Sequence, residues 1–148
     1  GTEDELFEGE IKDQILGMLS NQLKNVKKKT RKEDILQDIL KSNKSTDVLN
    51  KKQAEIKRIL KGYTKVDDHL KRELKTYGFT ITKDGGHYKL TYKGDSRYLF
   101  TLSASGSDSM EVGILRRRLF RICFNKASEI TQRYKGDLMI FLGEKLFG

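Results

Sequence analysis

Neither proline nor tryptophan occurs in this chain of 148 residues, and there are only one cysteine and two histidines. Without proline, no fixed φ or missing N–H interrupts a helix or a strand. The lone Cys123 excludes an intramolecular disulfide and a cysteine-rich zinc site. His69 and His87 are too few for a histidine-built structural metal site, so neither metal nor cofactor is expected. No apolar run approaches the length of a membrane span, and the first residues are acidic, unlike a signal peptide. The expectation is a soluble cytoplasmic protein without a membrane partner.

What is abundant is charge. Charged residues make up 34% of the chain and hydrophobic ones 36%, so the core is modest and the surface heavily charged. Lys and Arg number 30 against 21 Asp and Glu, a balance of +9 that points to a polyanionic partner. Length and periodicity divide the chain into a helical region (1–62), a mixed module (63–124) and a C-terminal extension (125–148).

In the first region Thr2 and Glu5 have capping-box spacing. Ile11, Ile15, Leu16, Met18, Leu19, Leu23 and Val26 then follow at helical intervals. A basic run, Lys27-Lys28-Lys29 and Arg31-Lys32, leads to a second box, Thr30 to Glu33, and the stripe Ile35, Leu36, Ile39 and Leu40. Ser42 to Asp47 breaks the pattern, which resumes from Val48 to Leu60 and stops at Gly62. Stripes this sparse need cover from each other, from the module or from a second copy of the chain. Their heptad regularity is poor, so a short helical bundle or homodimer is expected rather than a long coiled coil.

The mixed module changes period. A short helix after Thr64 carries Val66, Leu70 and Leu74 and ends at Gly78. Residues 79–82, 87–92 and 97–102 alternate as strands, with turns at Asp84–Gly86 and Lys93–Ser96. Ser103 to Asp108 is a small-residue loop, and a basic helix follows through Ile114, Leu115, Leu119 and Ile122. The fold class is therefore α+β: helices, then an α-β-β-β-α module with a three-stranded antiparallel sheet. In the extension a helix is expected around Ile130 to Tyr134, while Leu138 to Leu142 reads equally as strand or helix.

Alternation places Tyr88, Leu90, Tyr92, Tyr98, Phe100 and Leu102 toward the helices. His87, Lys89, Arg97 and Thr101 are left as a polar face suited to a phosphodiester backbone. Arg116, Arg117, Arg118 and Arg121 read either as a solvated helix face or as further phosphate contacts. Cys123 reads as a small buried residue and His69 as surface. His87 directly follows Gly85-Gly86, and it is either structural or catalytic. Imidazoles titrate near neutrality, so one beside cations is equipped for metal-free RNA cleavage.

The order helix, Gly78-Phe79, strand, Gly85-Gly86-His87-Tyr88, two strands and a Gly113-Ile114-Leu115-Arg116 helix resembles the HicA-type toxins of toxin–antitoxin systems, over residues 65–124. Tyr88 stands where that family often has a second histidine, and Ser103-Ala104-Ser105 where it usually has a Pro-His-like element at the exit of the third strand. The resemblance implies a double-stranded-RNA-binding-like fold, mRNA cleavage through His87 and an antitoxin-like protein partner. The expected function is RNA binding with metal-independent endoribonuclease activity. In that reading His87 is the acid/base, Lys89 and Arg97 hold the scissile phosphate, and Arg116, Arg117 and Arg121 anchor flanking backbone. The alternative is a non-catalytic nucleic-acid-binding or protein-interaction module that oligomerises through its N-terminal helices.

Overall fold

The computed structural model of the chain describes residues 2–125, which divide into two units, 2–46 and Asp47–Asn125. In the first unit, α1 (Glu10–Asn25) starts well after Thr2. Glu5 supplies the acceptor instead, its carboxylate receiving the N–H groups of Gly9 and Ile11 at 3.4 and 3.0 Å. Gly9 takes φ +85° to turn the chain into the helix, a conformation that glycine adopts without strain. The second box forms with its return bond moved one residue upstream, from the Thr30 N–H to that of Lys29. Thr30 accepts from the Glu33 N–H at the head of α2 (Arg31–Ser42), and Glu33 reaches back to the Lys29 N–H. After α2, the Thr46 N–H donates to Asp13 Oδ1 at 2.7 Å, and its hydroxyl donates to Oδ2. The core here is thin. Among its described residues only Leu16, Val26 and Leu36 are buried, while Ile11, Ile15, Met18 and Ile35 stay exposed.

The second unit is built from α3 (Val48–Gly62), α4 (Asp68–Thr76), β1 (Phe79–Asp84), β2 (His87–Tyr92), β3 (Asp95–Leu102) and α5 (Ser109–Cys123). The sequence groups α3 with the preceding helices, but it packs on α4 and α5 and buries Ile56, Ile59 and Leu60 there. Periodicity identifies an apolar face without naming what covers it, and that face belongs to the core of the sheet-containing unit. Helix α4 begins at Asp68 rather than after Thr64, because Asp67 accepts the Leu70 N–H at 2.9 Å as its cap. That bond holds the Asp67 carboxyl below its ordinary range.

The sheet order is β1-β2-β3, antiparallel throughout. Gly78, at φ +92°, ends α4, and its carbonyl accepts the Lys93 N–H at 2.7 Å. Lys93 and Gly94 both have positive φ, the backbone of a type I′ hairpin turn between Tyr92 and Asp95. Pairing then slips. Thr91 faces Leu99, so Ser96, Arg97 and Tyr98 have no paired residue opposite them and form a bulge rather than regular strand.

One sheet face is covered. Phe79, Ile81, Leu90, Tyr92, Phe100 and Leu102 are buried beneath the helices with Leu70, Leu74, Leu115, Leu119 and Phe124. Ile114 and Ile122 lie outside this core, since Leu115 and Leu119 alone of the expected α5 stripe are buried. The readings for 126–148, a helix at Ile130–Tyr134 and the Leu138–Leu142 run, lie outside the described residues. Among the described residues no helix is long and apolar enough to cross a membrane.

The loop from β3 to α5 is held by Tyr63, whose hydroxyl donates to the Ser103 carbonyl at 3.1 Å. A Cβ on Gly106 would lie 2.1 Å from the Tyr63 carbonyl oxygen, whereas one on Gly86 would meet nothing. Gly106→Ala is expected to destabilise the chain by about 1 to 3 kcal/mol, because backbone must shift to admit it. Gly86→Ala should stay within about 0.5 kcal/mol of wild type. Equal urea midpoints for the two variants would refute this account of the loop.

Candidate nucleic-acid interface

The exposed sheet face follows from strand parity. If Leu90 and Tyr92 point into the core, then His87, Lys89 and Thr91 point away from it. Register adds their neighbours. Lys89 pairs with Thr82 on one side and Thr101 on the other, and Thr91 pairs with Thr80 and Leu99. Lys89 Nζ donates to Thr101 Oγ1 at 3.3 Å, which holds the ammonium over a row of hydroxyls. Such a surface offers one fixed cation and several donors to phosphate oxygens.

His87 stands at the rim of this face. Gly85, at φ +60°, and Gly86 form the two-residue turn that makes Asp84 its cross-strand partner. The ring is exposed, and among the described residues it makes no hydrogen bond or ion pair. Asp84 was not singled out from the sequence, although two glycines between Asp84 and His87 are the signature of a turn that sets those residues opposite each other.

The other expected site residues do not gather here. Arg97 lies in the bulge beyond Leu99, which pairs with Thr91, four residues from His87. At about 3.3 Å per residue it is displaced from His87 by more than about 13 Å along the strand. Its guanidinium is also engaged by Asp95, with Nη2 to Oδ2 at 2.6 Å and Nε to Oδ1 at 3.1 Å. Those bonds hold the Asp95 carboxyl below its usual range. Lys89 and Arg97 therefore do not flank one phosphate beside His87.

Arg116, Arg117 and Arg121 are on α5, which packs against β3 from the covered side. Arg116 is half-buried, and Arg117, Arg118 and Arg121 are exposed. The Arg118 guanidinium sits 5.8 Å from the ring of Phe100, a core residue of that covered face. The expected single basic site is thus two surfaces on opposite sides of the sheet, one of His87 and Lys89 and one of α5 arginines.

His69 and Cys123 are two further reactive side chains among the described residues. His69 is exposed, 3.6 Å from Glu73, which also lies 3.6 Å from Arg58. These residues border a cleft of 240 Å³, in which Arg58 and His69 share the Glu73 carboxylate. Comparison with protein-family models, with curated proteins and with solved structures finds no match for this chain.

Cys123 is half-buried, and burial pushes its thiol up to about 12. The thiolate, the reactive form, is then scarce at neutral pH. Iodoacetamide at pH 7.5 is expected to label the folded chain at least about tenfold more slowly than the urea-unfolded chain. Equal rates would mean that the thiol is free.

Proposed function

We propose that this chain binds RNA, with the open sheet face of the second unit as the contact surface. The observation that carries this reading is the division of charge. Residues 47–125 hold 17 Lys and Arg against 9 Asp and Glu, a balance of +8, whereas residues 2–46 hold 9 of each sign. Cations concentrated in one folded unit form a field that attracts a polyanion, and Lys89 with the threonines gives that attraction a place to act. The resemblance to HicA-type toxins and the α-β-β-β-α order agree with this reading, which also takes the chain to be cytoplasmic.

The exposure of His87, whose ring nitrogens have no partner among the described residues, favours cleavage as a second reading. As general base it removes the proton of a 2′-hydroxyl; the 2′-oxygen attacks the phosphorus, and the 5′-oxygen departs and takes a proton from water. Lys89 offsets charge on the pentavalent phosphate. An antitoxin-like partner belongs with this reading.

Binding of a single-stranded RNA to the full chain is expected to weaken steeply with salt. Lys89→Ala should shallow the slope of log K against log salt by about 0.7 to 0.9. No binding to any RNA at low salt would end the proposal. In a chelator, His87→Ala should abolish cleavage and leave binding nearly unchanged; equal cleavage by wild type and variant would leave His87 without a catalytic role and RNA binding as the activity.

Self-association belongs to the same proposal. Ile11, Ile15 and Met18 form an exposed stripe at i, i+4 and i+7 along α1, which a second copy can cover. Light scattering should show a mass rising toward the dimer with concentration, and Ile15→Ser with Met18→Ser should keep it at the monomer. A wild-type chain that stays monomeric at high concentration removes the dimer.

A further inference from the structure

On the outer side of α5, Met110, Ile114, Arg117 and Arg121 lie at i, i+4, i+7 and i+11. This line turns away from Leu115 and Leu119, which enter the core. Met110 is 73% exposed and Ile114 52%. Among the described residues Arg117, Arg118 and Arg121 make no ion pair or hydrogen bond. The face is apolar toward the start of the helix and cationic toward its end.

We propose that this face is a docking surface for an acidic amphipathic helix of a partner protein. Two features choose that occupant. Arg117 and Arg121 present fork-shaped donors that match carboxylates. A polyanionic backbone would satisfy them too, but it has no apolar surface to bury Met110 and Ile114. A helix with leucines at every third or fourth position and glutamates on its flanks satisfies both halves, packing its ridge along α5 in the helix-in-groove manner. Methionine adapts its shape to such a ridge better than a branched side chain. Because α5 lies on the covered side of the sheet, the partner leaves His87 and Lys89 open, and RNA and partner can be held together.

The probe is a fluorescein-labelled peptide of eighteen residues, leucine on one helical face and glutamate on the flanks, with a scrambled peptide of the same composition as control. Fluorescence anisotropy with the full chain is expected to show micromolar binding of the patterned peptide and at least tenfold weaker binding of the scrambled one. Met110→Ser with Ile114→Ser should weaken binding at least tenfold, and Arg117→Ser with Arg121→Ser should weaken it and flatten its salt dependence. His87→Ala with Lys89→Ala should leave it unchanged. All of these positions except the half-buried Lys89 are exposed, and thermal melts within a few degrees of wild type establish that the variants fold. Equal binding of the two peptides, or no effect of the Met110 and Ile114 changes, overturns the proposal. Displacement of the peptide by an RNA oligonucleotide would make α5 the RNA surface instead. A tenfold gain in peptide affinity on deleting residues 126–148 would make the chain's own C-terminal segment the occupant. Either result rejects a partner helix.

Discussion

The aromatic corner formed by Phe79, Tyr92 and Phe124 governs the second unit. All three rings are nearly inaccessible; Phe79 stacks on Tyr92 at 4.7 Å, and Phe124 meets both edge-on at 5.9 and 5.5 Å. These rings come from the start of β1, the end of β2 and the residue after α5. Helix α3 closes the corner with polar contacts. Lys52 Nζ lies 3.0 Å from the Tyr92 hydroxyl, and Gln53 Nε2 donates to the Phe124 carbonyl at 3.0 Å. A buried phenol or carbonyl without a partner is costly, so these contacts make α3 part of the core rather than an attachment to it.

Functional geometry follows from that corner. Burying Tyr92 decides which parity of β2 faces inward, and a one-residue slip would exchange the faces. With Tyr92 inside, Lys89 and His87 are outside. The same corner ends α5 at Phe124, directing Leu115 and Leu119 inward and leaving Met110, Ile114 and the arginines outside. Two surfaces of different chemistry result, one flat with hydroxyls and a lysine, the other ridged with apolar and cationic side chains. A short RNA strand cannot lie on both, which is why the arginines of α5 require a separate account.

The bulge in β3 removes Arg97 from the site. Three residues without paired neighbours follow the turn, and Asp95 uses its carboxylate to bind both the backbone N–H and the side chain of Arg97. The guanidinium also rests over Tyr98, at 5.2 Å from its ring. Arg97 is thus a local brace for a distorted turn. Simple alternation along 97–102 gives this residue the right side of the sheet and the wrong end of it.

The α-β-β-β-α order, the glycine turns, the Thr30 cap and the outward parity of His87 and Lys89 were legible in the sequence because each depends on backbone geometry within a few residues. Strand alternation, positive φ at a turn and a hydroxyl three residues before a free N–H are local constraints, and residue types report them directly. The partner of α3, the side of the sheet taken by α5, the slip that isolates Arg97 and the start of α1 at Glu10 were decided by tertiary structure. Each depends on contacts between residues distant in sequence or on competition among several acceptors. An apolar stripe shows that a face must be covered; only the packing of Ile56, Tyr92 and Phe124 together determines by what.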